Sequence, residues 1–223
     1  MALSLSLLGP FQISAEGLAV SFPLATARAL LAYLAIEADR AHSRELLAAL
    51  LWPDQPQNAA YANLRQTLAR ARKALGPHAD IAALLTITPQ TLQWAGAGAT
   101  VDTVRFERLL AECAAHPHPD LVGCAACAER LGQATELYRG ELLHGLFLDK
   151  SQPFEEWLLV KREHTHRQAI EALHALTLHH EANAEYEQMR QCAARQLALE
   201  PWREEAHQQL MRALALSGER GAA

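Results

Sequence analysis

A chain of 223 residues, half of them hydrophobic, is long enough to bury a core and too apolar to be globally disordered. Its net charge of −5 is unevenly spread: residues 1–100 hold seven Lys/Arg against six Asp/Glu, residues 101–223 thirteen against nineteen. Only the first part could favour nucleic acid, while the acidic remainder would repel a phosphate backbone and suits protein partners. The opening MALSLSLLGPF lacks a basic n-region and is broken by Gly9-Pro10, so it is not read as an export signal. No apolar run approaches the ~20 residues of a membrane span. The four cysteines, Cys113, Cys124, Cys127 and Cys192, are therefore expected to stay reduced in the cytoplasm.

In chain order, Leu3, Leu5 and Leu7 alternate with small or polar residues, and Gly9-Pro10 predicts a turn. Phe11 and Ile13, then Leu18, Val20 and Phe22 after Glu16-Gly17, repeat the period of two, which predicts three short antiparallel strands. Helical spacing follows at Ala27, Leu30, Leu31, Leu34 and Ala35. Ser43 is placed as the N-cap of a second helix carrying Leu46, Leu47, Leu50 and Leu51, which Pro53 ends. After the Pro53–Pro56 loop a third helix runs from Asn58 to Leu75 and meets a stop at Gly76-Pro77. Leu85, Ile87, Leu92 and Trp94 flank Pro89-Gln90 and predict a β-hairpin.

The third helix holds Arg65, Arg70, Arg72 and Lys73 and no acidic residue. Leu64, Leu68, Ala71 and Leu75 fall on one side at the spacing of a core-facing stripe, with Ala59, Ala62, Gln66, Ala69, Arg70 and Lys73 roughly opposite. Small residues let a backbone approach a groove, cations meet phosphates, and Asn or Gln can reach base edges. A basic helix alone is more often a solvated face. Preceded by two apolar helices and followed by a hairpin, it reads as the second helix of a winged helix-turn-helix. Arg65, Arg70, Arg72 and Lys73 are then phosphate contacts, Arg65 and Arg72 lying towards one flank. Asn63 and Gln66 are base-edge candidates, and Thr88 and Gln90 at the hairpin tip are weaker ones. Tyr61 is assigned to the core side.

Beyond Val101 strand patterns vanish. Phe106, Leu109 and Leu110 open one helix, and Leu131, Leu137, Leu142 and Leu143 are assigned to another. A Pro153-to-Trp157 segment opens a long helix through Leu176. Ala193, Leu197 and Leu199 lead into Glu200-Pro201, and Ala206, Leu210 and Leu214 end at Ser217-Gly218, a pattern similar to a tetratricopeptide helical hairpin. The expected architecture is mainly α with small β: a winged helix-turn-helix domain over 1–98, then an all-α tetratricopeptide-like domain over 99–223.

The stretches LLGPFQI (7–13), ARALLAYLAIEADRAHSRELLAALLWPD (27–54), NLRQTLARARKALG (63–76), VDTVRFERLL (101–110), LYRGELLHGL (137–146) and PFEEWLLVKREHTHRQAIEAL (153–173) resemble, in that order, the bacterial SARP-type regulators. That family joins an OmpR-like winged helix to a helical bacterial transcriptional activation domain. The resemblance implies a transcription factor that binds double-stranded promoter DNA, often as a pair on direct repeats, and recruits RNA polymerase. It makes 58–75 the recognition helix, the Pro89-Gln90 hairpin a minor-groove wing, and the Trp52-to-Gln57 loop a surface that can face polymerase. Family members usually continue past the equivalent of Ser217-Gly218-Glu219-Arg220, so the chain is expected to be an amino-terminal piece of a longer protein.

Within twelve positions, His116, His118, Cys124 and Cys127 assemble ligands that zinc prefers, at a spacing tighter than common fingers. The readings are a structural zinc site bracing the helical domain, or buried cysteines beside solvated histidines. His164, His166, His174, His179, His180 and His207 read as surface helix residues, and His180-Glu181 lacks the second His of a zincin motif. There is no GxxxxGK[ST], GxGxxG after a strand or GxSxG, so no residues support enzyme chemistry. The reading is a cytoplasmic transcriptional regulator needing no cofactor. The rivals are a tetratricopeptide-like protein-interaction module and the amino-terminal part of a larger signalling ATPase or sensor.

Overall fold

The structure is a computed structural model that describes residues 3–76, 80–118 and 120–218. Two compact units make it up, Met1–Val104 with Gly140–Glu163, and Arg105–Arg139 with His164–Ala223. In chain order the elements are β1 (Leu3–Ser6), β2 (Gly9–Pro10), β3 (Gln12–Ala15), β4 (Leu18–Val20), α1 (Ala25–Ile36), β5 (His42–Ser43), α2 (Arg44–Leu51) and α3 (Gln57–Leu75). Then come α4 (Ile81–Leu84), β6 (Leu85–Ile87), β7 (Thr91–Trp94), β8 (Ala99–Val101), α5 (Asp102–Ala115), α6 (Ala125–Leu137), β9 (Leu142–His144), α7 (Gln152–Ala182), α8 (Tyr186–Leu199) and α9 (Glu204–Leu216).

In the first unit the alternation of the opening residues has its expected consequence. Leu3, Leu5, Ile13 and Ala15 are buried, and β1 pairs antiparallel with β3 in the register Leu5↔Ile13. The sheet order is β4-β3-β1-β8, with β8 parallel to β1. That parallel strand brings Asp102 to the end of β1, where its carboxylate accepts the N–H of Leu7 at 2.8 Å and of Leu8 at 3.0 Å. Gly9-Pro10 is not the predicted turn. It forms β2, which pairs parallel with β9 (Gly9↔Leu142).

Leu142 and Leu143 are likewise not helical. The chain leaves α6 at Leu137, and Gly140 (φ +157°) and Leu143 (φ +53°) take backbone conformations that no α-helix allows. Arg162 of α7 holds this segment by donating Nε to the Leu142 carbonyl at 2.9 Å and Nη2 to that of Leu143 at 3.0 Å.

Helices α1 to α4, the start of α7 and the small β5-β7-β6 sheet complete this unit among the described residues. Ser43 caps α2, its Oγ accepting the N–H of Leu46 at 3.1 Å, which offsets one orphan donor of the first turn. Leu47, Ala48 and Leu51 face inward, whereas Leu46, one of the four leucines that mark the helix, is 45% exposed. Of the predicted Gly76-Pro77 stop only Gly76 lies among the described residues; it takes φ +47° and donates its N–H to the Arg72 carbonyl. Glu37, just past α1, ties the middle of the unit together. Its carboxylate takes Lys161 Nζ at 2.7 Å and Trp157 Nε1 at 2.9 Å, and its carbonyl lies 2.8 Å from His42 Nε2.

The second unit is helical: α6, α8, α9 and most of α5 and α7. The α8–α9 hairpin has the predicted form, but leucines do not fill its seam. Met189, Ala193, Gln196, Ala206, Gln209 and Ala213 are buried, and Leu197 and Leu210 only partly so. Gln196 Nε2 donates to Thr177 Oγ1 at 2.9 Å and Gln209 Oε1 at 3.0 Å, and Gln209 Nε2 lies 3.0 Å from His174 Nδ1. That chain of amides satisfies polar groups on three helices at once. Of the predicted Ser217-Gly218-Glu219-Arg220 end, the last two lie outside the described residues.

Two outcomes test these joints. Asp102→Ala strips a charged acceptor from two backbone donors and should lower stability by about 2 kcal/mol, read as an earlier urea midpoint with an unchanged m-value. For Glu37, burial pushes the carboxyl up, but hydrogen bonds from Lys161 and Trp157, aided by the charges of Lys161 and Arg40, hold it below the usual range. Its stabilisation is therefore fully present above the unfolded carboxylate value of about 4.3 and lost as pH falls through the lower folded value. Chemical denaturation of Glu37→Gln across acidic pH should give a flatter decline in that window than the parent; an unchanged slope would refute the assignment.

Candidate nucleic-acid interface

The face of α3 is set by what the helix buries. Ala60, Leu64, Thr67, Ala71 and Leu75 are buried, and Leu68, expected among them, is only half-buried. Thr67 takes that inward position because the repeat of about 3.6 residues centres the buried stripe on Leu64 and Ala71. Everything opposite is left in solvent. Ala62, Gln66, Ala69 and Lys73 form the outermost stripe, exposed along its length. Arg70 is exposed on one flank beside half-buried Asn63; Arg65 and Arg72 are exposed on the other with Asn58. Among the described residues, Arg65, Arg70, Arg72 and Lys73 make no ion pair or side-chain hydrogen bond, so their charge is available to an external anion.

The hairpin stands beside the Arg65 flank. Its strands pair Leu85↔Trp94 and Ile87↔Leu92, leaving Pro89-Gln90 as the two-residue loop. Thr88, a predicted contact residue, has its hydroxyl committed within the turn: it accepts the N–H of Thr91 at 2.8 Å and of Gln90 at 3.2 Å. Its carbonyl takes Arg44 Nε and Nη2 at 3.1 and 2.9 Å, and Arg44 N donates to the Gln90 carbonyl at 2.9 Å. Meanwhile β5 pairs with β7 (Ser43↔Thr91). Ser43 and Arg44 thus serve both the start of α2 and the hairpin, and couple the turn to the helix pair.

The result is an open groove of about 660 Å³ between the start of α3 and the hairpin turn, lined by Ser43, Arg44, Glu45, Asn58, Tyr61, Arg65, Pro89 and Gln90. Predicted residues Arg65 and Gln90 meet there; Asn63, Gln66, Arg70, Arg72 and Lys73 lie on α3 outside it. Asn58, Tyr61 and Arg44 join Arg65 and Gln90 in the lining although the sequence pattern does not mark them as contacts. Tyr61, assigned to the core, is half-buried and lines the groove. The spacing of Asn58, Tyr61 and Arg65 by three and four positions is a signal for one helix face that could have grouped them.

In the helical unit the predicted metal ligands converge. His116 Nδ1 lies 3.5 Å from both Cys124 Sγ and Cys127 Sγ, and donor atoms of His116, His118 and Cys127 lie within 4.8 Å of one another. Cys127 is fully buried and the other three are half-buried. The remaining thiols differ: burial, with neighbouring Cys127, pushes Cys113 up to about 11, and burial raises Cys192. Among the described residues no helix is long and apolar enough to cross a membrane.

A family model for the bacterial transcriptional activator domain matches residues 101–223. No curated protein matches the chain. Among solved structures it is similar to that described as Mycobacterium tuberculosis EmbR in complex with low affinity phosphopeptide, with a TM-score of 0.68 and 23% identity. The match covers 99% of this chain and 56% of that one, so this chain spans little more than half of that length. At that identity the likeness is one of fold, and the fold shared is a winged helix with a helical domain. With more than half of its residues inside the family model, the chain belongs to the bacterial transcriptional activator domain family, as its SARP-type sequence resemblance implies.

Proposed function

We propose that this SARP-type regulator acts by sequence-specific binding of double-stranded promoter DNA, with α3 laid in the major groove. The observation that carries this reading is the outward face of α3: small residues at Ala62 and Ala69, an amide at Gln66, and four cations with no carboxylate partner among the described residues. Lys73, Arg70, Arg65 and Arg72 meet phosphates, supplying affinity through counterion release. Gln66 and Asn63 meet base edges, where amides read adenine. Gln90, presented by the turn that Thr88 shapes, meets the adjoining minor groove, and the alcove between turn and helix admits the intervening backbone. The helical unit and the Trp52-to-Gln57 segment, exposed from Pro53 onward, are the surfaces left for RNA polymerase or a second copy on a direct repeat. This is binding, not catalysis.

The test is selection of a duplex from a random library followed by anisotropy titration at several salt concentrations. The double variant Arg70→Glu, Lys73→Glu should bind at least about tenfold more weakly, with a salt slope shallower by roughly 0.9 for each phosphate that is no longer neutralised. Unchanged affinity and slope would refute the DNA reading and leave the helical unit, as a protein-binding module, to carry the function.

A further inference from the structure

The connection between α5 and α6 is folded back on itself by contacts that bring His116 against two thiols. Asp120 accepts the N–H of Val122 at 3.0 Å and of Gly123 at 3.3 Å, His179 Nδ1 lies 2.6 Å from the Val122 carbonyl, and Cys124 N donates to the Leu121 carbonyl. His116, one residue past α5, is thereby brought over the start of α6, where Cys124 precedes the helix and Cys127 lies in its first turn. Its Nδ1 is 3.5 Å from both sulfurs.

An imidazole nitrogen offers one hydrogen bond, as a donor or as an acceptor, and so can serve one of these thiols and not both. Cys127 Sγ otherwise reaches the Cys113 carbonyl at 4.0 Å, whereas a shared metal would engage both sulfurs at once. In a tetrahedral site with Zn–S of about 2.3 Å and Zn–N of about 2.0 Å, neighbouring sulfur and nitrogen ligands lie about 3.5 Å apart. The observed spacing is within about a tenth of an ångström of that figure. A further ligand is at hand: a donor atom of His118 falls within 4.8 Å of those of His116 and Cys127, a group that Cys124 joins only through its 3.5 Å approach to His116, and His118 Nδ1 is buried with no hydrogen-bond partner among the described residues.

We infer that His116, His118, Cys124 and Cys127 bind a structural Zn²⁺ ion that pins the α5–α6 connection to the core of the helical unit. Binding releases one proton from each thiol. Two thiolates and two neutral imidazoles then leave the site uncharged, as its half-buried position requires. Cys127 carries the brace inward, since its side chain packs with Cys113, Leu131, Ala172 and Leu176. Four protein ligands close the coordination sphere, which makes the site structural and not catalytic.

The experiment uses the full chain made without a polyhistidine tag and purified under reductant. It combines elemental analysis after zinc reconstitution with a Co²⁺ titration followed by absorption. The expected result is one zinc per chain and the thiolate charge-transfer and tetrahedral ligand-field bands of bound cobalt. His116→Ala and Cys124→Ser, both at half-buried positions, should each weaken cobalt binding at least about tenfold. Cys192→Ser should bind as the parent does. Substoichiometric zinc with no thiolate–cobalt bands in the parent would overturn the inference whatever the variants do. So would full binding retained in both His116→Ala and Cys124→Ser.

Discussion

The burial of one side of α3 is the constraint from which the rest of the winged helix follows. Leu64, Ala71 and Leu75 have no exposed surface, and Ala60 almost none. An α-helix has no freedom to turn a second face inward once successive turns of one face are packed. Gln66, Lys73 and the alanines between them are therefore held in solvent, and no separate interaction is needed to present them. Truncating Leu64 would leave a cavity in that contact, and such changes cost about 2–5 kcal/mol in a packed core.

A presented helix still needs a partner surface at a fixed angle, and here the polar backbone does the positioning. Arg44 and Ser43 sit where β5 passes into α2, so the same two residues cap the helix, extend the sheet and grip the Thr88–Gln90 turn. A guanidinium shared by two hydrogen bonds to one carbonyl has little freedom to swing. Elsewhere in the unit, Asp102 ties the end of β8 to the end of β1 across 95 positions of chain. These joints are charge-assisted hydrogen bonds to backbone, a class stronger than neutral pairs and indifferent to the identity of the partner side chain.

The helical unit is organised differently. Its α8–α9 seam is narrow, lined by alanines and closed by the Thr177–Gln196–Gln209–His174 chain of polar contacts. A buried amide costs stability for each capacity left unmet, and here Gln196 Nε2 is paired on both sides while its Oε1 has no partner among the described residues, so the donors of this chain favour one register of the three helices. The cysteine–histidine cluster lies in the same unit, at the opening of α6, where a short connection has few apolar residues with which to anchor itself. The zinc ion proposed above would supply there what a core supplies elsewhere.

Elements governed by local periodicity were legible in the chain. The alternation in β1 and β3, the Ser43 cap, the extent of α3 to within one residue, the Pro89-Gln90 hairpin and the start of α7 each depend on neighbours a few positions away. The composition of the α3 face belongs to the same class, as does the proximity of His116 to Cys124 and Cys127. What periodicity cannot encode is a partner distant in the chain. Gly9-Pro10 reads as a turn until β9 pairs with it, and Leu142 and Leu143 read as helical until Arg162 captures their carbonyls. Tyr61 reads as core until the hairpin turn opens a groove beside it. Leu46 and Leu68 satisfied a hydrophobic spacing yet stayed outside or half outside the core, because the direction of burial was chosen by the helices packed against them. Residue order alone dictates which segments become helix or strand and where their charge falls. Which faces are buried, and which residues far apart in the chain share a site, is settled by packing between distant segments, because hydrogen bonds between remote backbone groups leave no repeat to read.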